Sequence, residues 1–322
     1  MPCCFDRQPR NEAAQRVLQC RLSAALEAFT VPTNRAKCAL KRLRNVLIRI
    51  GYDIVFEHPV PTPIVAMLYL HPACRTAIRR DEYLLVDPQV PISNYIDGFG
   101  NRCGRLTSPA GRIRFWNDAV VEDSGEPERH NPAAAQHQIH ELPYDTIEFL
   151  IASRYCEVDR MMVTAWQLFG AVPVGWARVQ AVCDYVQKHL RFDYLQARNT
   201  RSAFEAHQER VGVCRDFAHL AVTLCRCLNI PARYCTGYLG DIGVPAVPSP
   251  MDFSAWFEVY LGDTWYTMDA RHNVARVGRV LMARGRDAAD VALLTSFGAS
   301  RLERFTVWCD EVGPAALLPA AN

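Results

Sequence analysis

Residues 211–239 read VGVCRDFAHLAVTLCRCLNIPARYCTGYL, and this stretch decides the fold. After Asp216, apolar residues recur at the spacing of one face of a helix: Phe217, Ala221, Leu224 and Leu228. Pro231 cannot continue a helix, and the residues that follow it predict a strand over 232–239. The stretch therefore predicts a helix that leads directly into a strand.

The N-terminus of this predicted helix carries a cysteine. Gly212 permits a tight backbone turn before the helix, so that Cys214 lies in its first turn. The unpaired N–H groups and the positive end of the helix dipole stabilise an anion there, which lowers the pKa of a thiol from about 8.5. We expect Cys214 to be a thiolate nucleophile near neutral pH.

Two more strands are predicted downstream, over 253–261 and 264–269, with a two-residue hairpin turn at Gly262–Asp263 between them. Together with the strand over 232–239 they predict an α+β core in which a helix packs on an antiparallel sheet. In a cysteine hydrolase or acyltransferase such a sheet brings an imidazole to the thiol and a carboxylate or amide to orient that imidazole.

Four ordered blocks of this sequence resemble the transglutaminase-like superfamily, whose members are papain-related cysteine enzymes. The blocks are Gly212–His219, Leu228–Tyr238, Ala255–Tyr260 and Trp265–Asp269. The arrangement is similar to the bacterial branch that carries an N-terminal β-domain before the core, which extends the resemblance over about Val46 to Phe305. The resemblance implies an α+β core with a nucleophilic cysteine, then a histidine on a central strand, then an aspartate on the next strand.

Two of these three implied residues match and one does not. Cys214 and Asp269 occupy the positions of the nucleophile and the aspartate, but Ser254 stands where the family has its catalytic histidine. A serine hydroxyl cannot take a proton from a thiol at neutral pH, and it offers no imidazolium to protonate a leaving amine.

Three interpretations of Ser254 stay open. In the first, His272 supplies the imidazole, because it lies three residues beyond Asp269 where the chain leaves its strand. In the second, the protein is a weakened or non-catalytic relative that binds peptides in the same cleft. In the third, Cys214 takes part in different chemistry, and Ser254 holds a substrate or a water.

Two more side chains, one near Ser254 and one near Cys214 in the sequence, have predicted roles. Trp256 falls on the same strand face as Ser254, because side chains alternate along a strand, and both are predicted to line the substrate cleft. His219 follows Cys214 by five residues, which places it roughly 140° around the helix from the thiol. It is therefore predicted to be a buried histidine satisfied by a neighbouring carbonyl.

The rest of the chain predicts two domains and two extensions. Residues 46–121 alternate apolar and polar residues in short runs separated by Pro, Gly, Asn and Asp, which predicts a β-sandwich. The remaining parts are a basic N-terminal extension outside the fold (1–45), a linker (122–143), the transglutaminase-like core (144–312) and a tail (313–322).

Five arginines follow the last predicted strand of the core: Arg271, Arg276, Arg279, Arg284 and Arg286. This run can bind an acidic substrate group, but a solvated surface that pairs with Asp287 and Asp290 is the simpler interpretation. Further sheet segments are predicted over 288–294 and 303–308.

Composition excludes several classes of protein. The 322 residues are 50% hydrophobic and 22% charged with a formal net charge of +2, which indicates neither a nucleic-acid partner nor a membrane protein. Thirteen cysteines, an odd number spread along the chain, do not form a disulfide framework, and Cys225 and Cys227 lack the spacing of a zinc site. We expect no cofactor, no metal and a cytoplasmic location in a bacterium.

These observations favour a cysteine hydrolase or acyltransferase that acts on peptide or isopeptide amide bonds through an acyl-thioester at Cys214. Asp269 would orient the base, and His272 is the candidate base. The alternative is a peptide-binding module that keeps the fold without the chemistry, because of Ser254. Either way the expected partner is a peptide or protein, and the sequence leaves the oligomeric state open.

Overall fold

The computed structural model describes residues 45–247 and 250–317. Apart from Asn45, the basic extension predicted over 1–45 lies outside the described residues, as do residues 318–322 of the predicted tail. The last described residues, Pro314–Leu317, form a 3₁₀ helix.

The N-terminal region contains two antiparallel sheets. The first consists of β1 (Val46–His58), β3 (Ile78–Arg80), β4 (Leu85–Asp87), β7 (Gly111–Asp123) and β15 (Arg301–Val312), in the order β15-β1-β7-β3 with β4 also paired to β7. The second consists of β2 (Thr62–Ala66), β5 (Ser93–Ile96), β6 (Arg102–Ser108) and β14 (Leu294–Ser296), in the order β14-β2-β6-β5.

Alternation along β1 explains how these sheets bury a common core. Ile48, Ile50 and Tyr52 are fully buried, and they share one hydrophobic cluster with Phe115 of β7 and Ile64 of β2. Because every second side chain of a strand points to the same face, one face of each sheet contributes to this cluster. The N-terminal β region predicted from the sequence is confirmed.

The boundary predicted between the two domains does not separate these strands. β15 pairs along the whole of β1, from Leu47 opposite Val312 to Glu57 opposite Arg301, and β14 pairs with β2. Both were predicted to belong to the core over 144–312. They lie in the N-terminal region because β1 and β2 offer free strand edges, whose N–H and C=O groups require partners.

Within the residues that the structure describes, the core consists of four α helices and a third antiparallel sheet. The helices are α1 (Val158–Phe169), α2 (Trp176–His189), α3 (Ala203–Glu209) and α4 (Cys214–Cys227). The sheet contains β10 (Ala232–Leu239), β11 (Ser254–Leu261), β12 (Thr264–Met268) and β13 (Arg279–Gly285), in the order β12-β11-β10-β13. The predicted α+β core with a helix on an antiparallel sheet is confirmed.

The core sheet lies between α4 and the N-terminal region. On β11, Phe257 and Val259 pack with the helices, whereas Trp256 packs on the opposite face with Leu281 of β13. Met282 of β13 joins the hydrophobic cluster of the N-terminal region. The alternation predicted for β11 is therefore observed, and both faces of the sheet are covered.

Short elements complete the fold. Two-residue strands β8 (Arg191–Phe192) and β9 (Val211–Gly212) pair in parallel immediately before α4. Gly262 and Asp263, with φ of 50° and 62°, form the predicted hairpin turn between β11 and β12. The remaining 3₁₀ helices are Pro72–Ala77, Ile139–Glu141, Tyr144–Phe149 and Tyr194–Gln196. Within the described residues, no helix combines the length and the apolar character needed to cross a membrane.

The arginine run was largely misinterpreted as solvated surface. Part of it forms β13, and the Arg279 side chain is buried against Glu128 and Asp269. Glu128 comes from the predicted linker over 122–143, so this stretch packs against the core sheet. Only the pairing of Arg286 with Asp290, at 2.9 Å, follows the sequence prediction.

Candidate active site

The N-terminus of α4 is held by a buried carboxylate. The carboxylate of Asp216 accepts a hydrogen bond from the backbone N–H of Val213 at 2.9 Å. It also forms an ion pair with Arg201, at 3.1 Å. Burial raises the pKa of Asp216, and these two donors oppose the rise. Asp216 thereby satisfies one of the unpaired N–H groups at the start of the helix.

Gly212 is required here for a reason other than the predicted tight turn. A Cβ atom added at Gly212 would lie 2.6 Å from the Cβ of Asp216 and 2.7 Å from its Oδ2. These distances are shorter than any normal contact, so a side chain at position 212 would displace Asp216. Close approach, rather than backbone conformation, selects glycine.

Cys214 is the first residue of α4 and is half-buried, packed near Ala218, Tyr234 and Ala255. Burial raises the pKa of its thiol to about 11, and this effect outweighs the opposing effects of Arg271 and of hydrogen bonds from the backbone at Ala255 and Arg215. This direction is opposite to the one expected for a thiol at a helix N-terminus, because desolvation disfavours the charged form.

Asp269 and His272 form a hydrogen-bonded pair. Nδ1 of His272 lies 2.9 Å from Oδ2 of Asp269, and Oδ1 accepts the backbone N–H groups of Arg271 and His272 at 2.9 and 3.0 Å. Arg279 donates to Oδ2 at 3.0 Å. Burial alone would raise the pKa of Asp269, but the hydrogen bond from His272 and the charge of Arg279 hold it well below its usual range.

This pairing fixes the proton on the imidazole. A carboxylate with a lowered pKa is ionised and can only accept hydrogen bonds, so Nδ1 of His272 is the donor. In the neutral ring the lone pair then lies on Nε2, the nitrogen that a general base uses. Among the described residues, none hydrogen-bonds to Nε2 of His272.

The turn that carries His272 is anchored to α2. Asn273 has a left-handed backbone conformation with φ of 53°, and its side chain bonds to Asp184 at 2.7 Å and to Gln180 at 2.9 Å. Gln187 donates to the backbone carbonyl of His272 at 2.9 Å. Three side chains of one helix therefore hold the turn in place.

Ser254 and His272 line the same cleft, which has a volume of about 220 Å³. Arg271 and Tyr194 lie in its wall together with Asp252, which precedes β11 by two residues. Ser254, the predicted substrate-binding serine, therefore shares this cleft with the candidate imidazole. The sequence did not predict that Tyr194 and Asp252 belong to this cleft. For Asp252 a signal was present, because it lies two residues before Ser254.

Trp256 does not line this cleft, contrary to the prediction. Its side chain is 2% exposed, packs with Cys235 and Leu281, and lies under the guanidinium of Arg279 at 4.7 Å from the ring centroid. Trp256 packs instead in the core and borders a separate cleft, together with Glu258 and Leu281.

Cys214 is not among the residues that line this cleft, but three residues of the cleft wall interact with its thiol. All nine histidines of the chain are within the described residues, and no hydrogen bond there joins an imidazole nitrogen to Sγ of Cys214. The charges of Arg271 and Asp252, both in the cleft wall, act on the thiol, and the thiol in turn acts on Tyr194. The nucleophile and the imidazole thus have neighbours in common.

His219 is buried, as predicted, and it has no catalytic position. Its ring is fully buried and stacks on Tyr155 at 5.0 Å between centroids. Nε2 accepts the backbone N–H of Ala288 at 3.1 Å, so the partner is an amide rather than the predicted carbonyl. Burial holds the pKa of His219 well below its usual range, so the ring is neutral.

The other cysteines of α4 are part of the core. Cys225 and Cys227 are fully buried, and Sγ of Cys227 lies 3.4 Å from the carbonyl of Val158. In the part of the chain that the structure describes, no cluster of three or more His, Cys, Asp or Glu side chains is placed to hold a metal ion.

Comparisons with known proteins agree with this arrangement. Residues 168–270 match the family model of the transglutaminase-like superfamily. A candidate cysteine protease from Cytophaga hutchinsonii, of which a crystal structure exists, is 30% identical with a TM-score of 0.71, over 84% of this chain and 92% of that one. The chain belongs to the transglutaminase-like superfamily.

A second protein is similar to this chain over a shorter stretch. An uncharacterized protein of Mycobacterium leprae is 32% identical over 103 residues, which are 31% of this chain and 37% of that protein. The chain thus matches little more than a third of the length of this curated relative. The stretch that matches the transglutaminase-like family model contains Cys214, Ser254 and Asp269, whereas His272 lies two residues beyond it.

Proposed function

We propose that this transglutaminase-like protein is a cysteine hydrolase or acyltransferase that acts on peptide or isopeptide amide bonds. The observation that carries the proposal is the Asp269–His272 pair, because His272 lines a cleft together with Arg271 and Asp252, whose charges act on the thiol of Cys214. In this proposal His272 replaces the imidazole that the family has at the position of Ser254. The Cytophaga protein, named as a candidate cysteine protease, has a fold that supports the same class of chemistry.

The raised pKa of Cys214 determines how the first step proceeds. Because burial raises the pKa of the thiol, its proton leaves in this proposal as the sulfur attacks, rather than beforehand. Sγ bonds to the carbonyl carbon, the proton passes to Nε2 of His272, and the carbonyl electron pair moves to oxygen. In this proposal the backbone N–H of Cys214, in the first turn of α4, donates a hydrogen bond to that oxyanion.

The second step releases the amine. The imidazolium of His272 returns its proton to the leaving nitrogen as the C–N bond breaks, which leaves an acyl-thioester on Cys214. Water or a second amine then attacks the thioester carbon and gives its proton to His272. As the C–S bond breaks, the acid or the new amide is released and the proton passes from His272 to the sulfur. Asp269 stabilises the imidazolium throughout, because its carboxylate stays ionised.

The test is hydrolysis of a library of peptidyl aminomethylcoumarins, together with incorporation of dansylcadaverine into casein. We expect Cys214→Ser to abolish both activities and His272→Gln to lower kcat by about 100-fold or more, the usual contribution of a general base. His137→Gln is the matched control, because His137 is another half-buried ring and lies outside the cleft. Full activity of His272→Gln would exclude His272 as the base.

A peptide-binding module is the second candidate, and Ser254 together with the absence of any imidazole bonded to Cys214 in residues 45–247 and 250–317 favours it. Ser254→His separates the two candidates, since this substitution restores the histidine of the family within the cleft. If the wild-type protein is inactive and Ser254→His cleaves the same library, the native protein is a binding module. If the wild-type protein already turns over, the enzyme proposal holds.

A further inference from the structure

Arg271 is a cation of the cleft without a carboxylate partner. Among the ion pairs of residues 45–247 and 250–317, none includes Arg271, although its guanidinium lies in the cleft wall with Ser254 and His272. The other arginine of the wall, Arg276, donates to the carbonyl of Gly240 at 2.8 Å and lies 3.8 Å from Asp241. Arg271 alone of these two keeps its charge available to a ligand.

The position of Arg271 is fixed before any ligand arrives. Its backbone N–H is bound by Asp269, and its guanidinium lies over the ring of Phe192, 3.7 Å from the centroid. Stacking on an aromatic ring restrains the side chain. Of the five N–H donors of a guanidinium, the interaction with the hydroxyl of Tyr194 leaves others at its edge for a ligand. An ordered guanidinium loses less entropy on binding than a free side chain does.

Arg271 lies next to both groups of the proposed reaction. It directly precedes His272 in the chain, and its charge acts on the thiol of Cys214. An anionic group held by Arg271 would therefore be part of the substrate segment that contains, or adjoins, the scissile amide. Two parallel N–H donors match a carboxylate bidentately.

The acidic residues of the cleft do not cancel this charge. Asp241 lies toward Arg276, and Asp252 accepts the backbone N–H of Phe253 at 2.7 Å without pairing with Arg271. Burial raises the pKa of Asp252, and the charge of Arg271 opposes that rise. No acidic side chain among the described residues forms an ion pair with Arg271, so its N–H donors stay available to a substrate carboxylate.

We propose that Arg271 is a specificity-determining residue which binds a carboxylate of the substrate, so that the enzyme prefers peptides with an acidic group next to the scissile amide. This inference rests on the proposed function. The acidic group is either a Glu or Asp side chain or a free C-terminal carboxylate, since the guanidinium offers both the same hydrogen bonds.

The test uses peptides matched in pairs: Glu against Gln at each position flanking the scissile amide, and a free C-terminus against a C-terminal amide. In at least one of these pairs we expect kcat/KM of the wild-type protein to be about 10- to 100-fold higher for the acidic peptide than for its neutral partner. This is the effect of a charged hydrogen bond. Arg271→Gln should bring that ratio close to one, and Arg271→Lys should keep part of it. The kind of pair that shows this preference, Glu against Gln or free C-terminus against amide, identifies the source of the carboxylate.

Arg191→Gln is the control, because Arg191 is an exposed arginine beside Phe192 that lies outside the cleft and pairs with Asp193. It should keep the wild-type ratio. Circular dichroism of each variant checks that it is folded. Equal kcat/KM for acidic and neutral peptides in the wild-type protein would overturn the inference while leaving the proposed function intact.

Binding separates the two proposals when no turnover is found. Cys214→Ser protein is titrated with the same peptide pairs and the dissociation constants are compared. Tighter binding of the acidic member, lost in the Cys214→Ser, Arg271→Gln double variant, supports carboxylate recognition without catalysis. Equal affinities for the acidic and the neutral peptide, in the Cys214→Ser protein and in the double variant, would exclude carboxylate recognition by Arg271.

Discussion

At the scale of single residues, burial and hydrogen bonding act in opposite directions on two acids of the site. Burial dominates for Cys214 and raises its pKa, whereas hydrogen bonds and the charge of Arg279 dominate for Asp269 and lower its pKa. The sequence predicted both residues, because their blocks resemble those of the family. It could not predict the state of the thiol, since desolvation depends on Ala255 and Tyr234, which pack near Cys214 only in the folded chain.

The raised pKa predicts slow alkylation of Cys214 at neutral pH. Only the thiolate reacts with iodoacetamide, so the rate should rise about tenfold per pH unit up to a midpoint near 11. Peptide mass spectrometry separates Cys214 from the other cysteines, and Cys214→Ser is the blank. A midpoint below pH 8 would show instead that an imidazolium stabilises the thiolate.

The lowered pKa of Asp269 predicts a pH-dependent contribution to stability. Because its folded pKa lies below its unfolded value of about 3.9, the contribution is complete above that pH and is lost as the pH falls further. We expect Asp269→Asn to lower the free energy of unfolding by about 3 kcal/mol at pH 7, since His272 and Arg279 lose a buried anion.

Urea denaturation at several pH values measures this difference. The gap between wild-type protein and Asp269→Asn should narrow as the pH approaches 2. A gap that is independent of pH would mean that the carboxylate does not titrate differently in the folded and unfolded chains.

At the scale of elements, the N-terminus of α4 depends on one close contact. Gly212→Ala would push the carboxylate of Asp216 away from the N–H of Val213, so we expect a loss of about 1–3 kcal/mol in the free energy of unfolding. Thermal denaturation followed by circular dichroism measures it.

Gly98→Ala is the matched control for this substitution, because an added Cβ at Gly98 meets nothing within 4 Å. It should leave stability within about 0.5 kcal/mol of the wild-type value. If both substitutions changed the free energy of unfolding equally, the cause would be the backbone entropy that alanine changes, and contact with Asp216 would not be needed to explain it.

The sequence predicted most core elements closely and failed where tertiary pairing decides. The strand over 232–239 and the start of α4 at Cys214 agree with the structure. β13 escaped prediction because its first residue, Arg279, resembles a surface residue, and only the buried Glu128 and Asp269 explain that arginine. His272 was predicted as a candidate, yet its hydrogen bond to Asp269 depends on a turn that no local pattern specifies.

At the scale of the whole molecule, the N-terminal region and the core share one hydrophobic cluster. Met282 and Tyr238 of the core sheet pack in the same cluster as Tyr52 of β1. We expect Met282→Ala to lower the free energy of unfolding by about 2–5 kcal/mol, and near-UV and far-UV circular dichroism to report one coincident transition.

Val163→Ala is the control, because Val163 is an exposed apolar residue of α1 and should change stability little. Two separate transitions in the Met282→Ala protein, one of which keeps the wild-type midpoint, would show that the regions unfold independently.

The pairing of β15 with β1 sets an order of events during synthesis on the ribosome. β1 can meet β7 early, but its other edge stays open until Arg301–Val312 has been made. A nascent chain therefore exposes an unpaired, apolar strand edge while the residues of the core are being translated, a condition that invites wrong intermolecular pairing. Chaperones that shield such edges would gain most from acting before that last strand emerges.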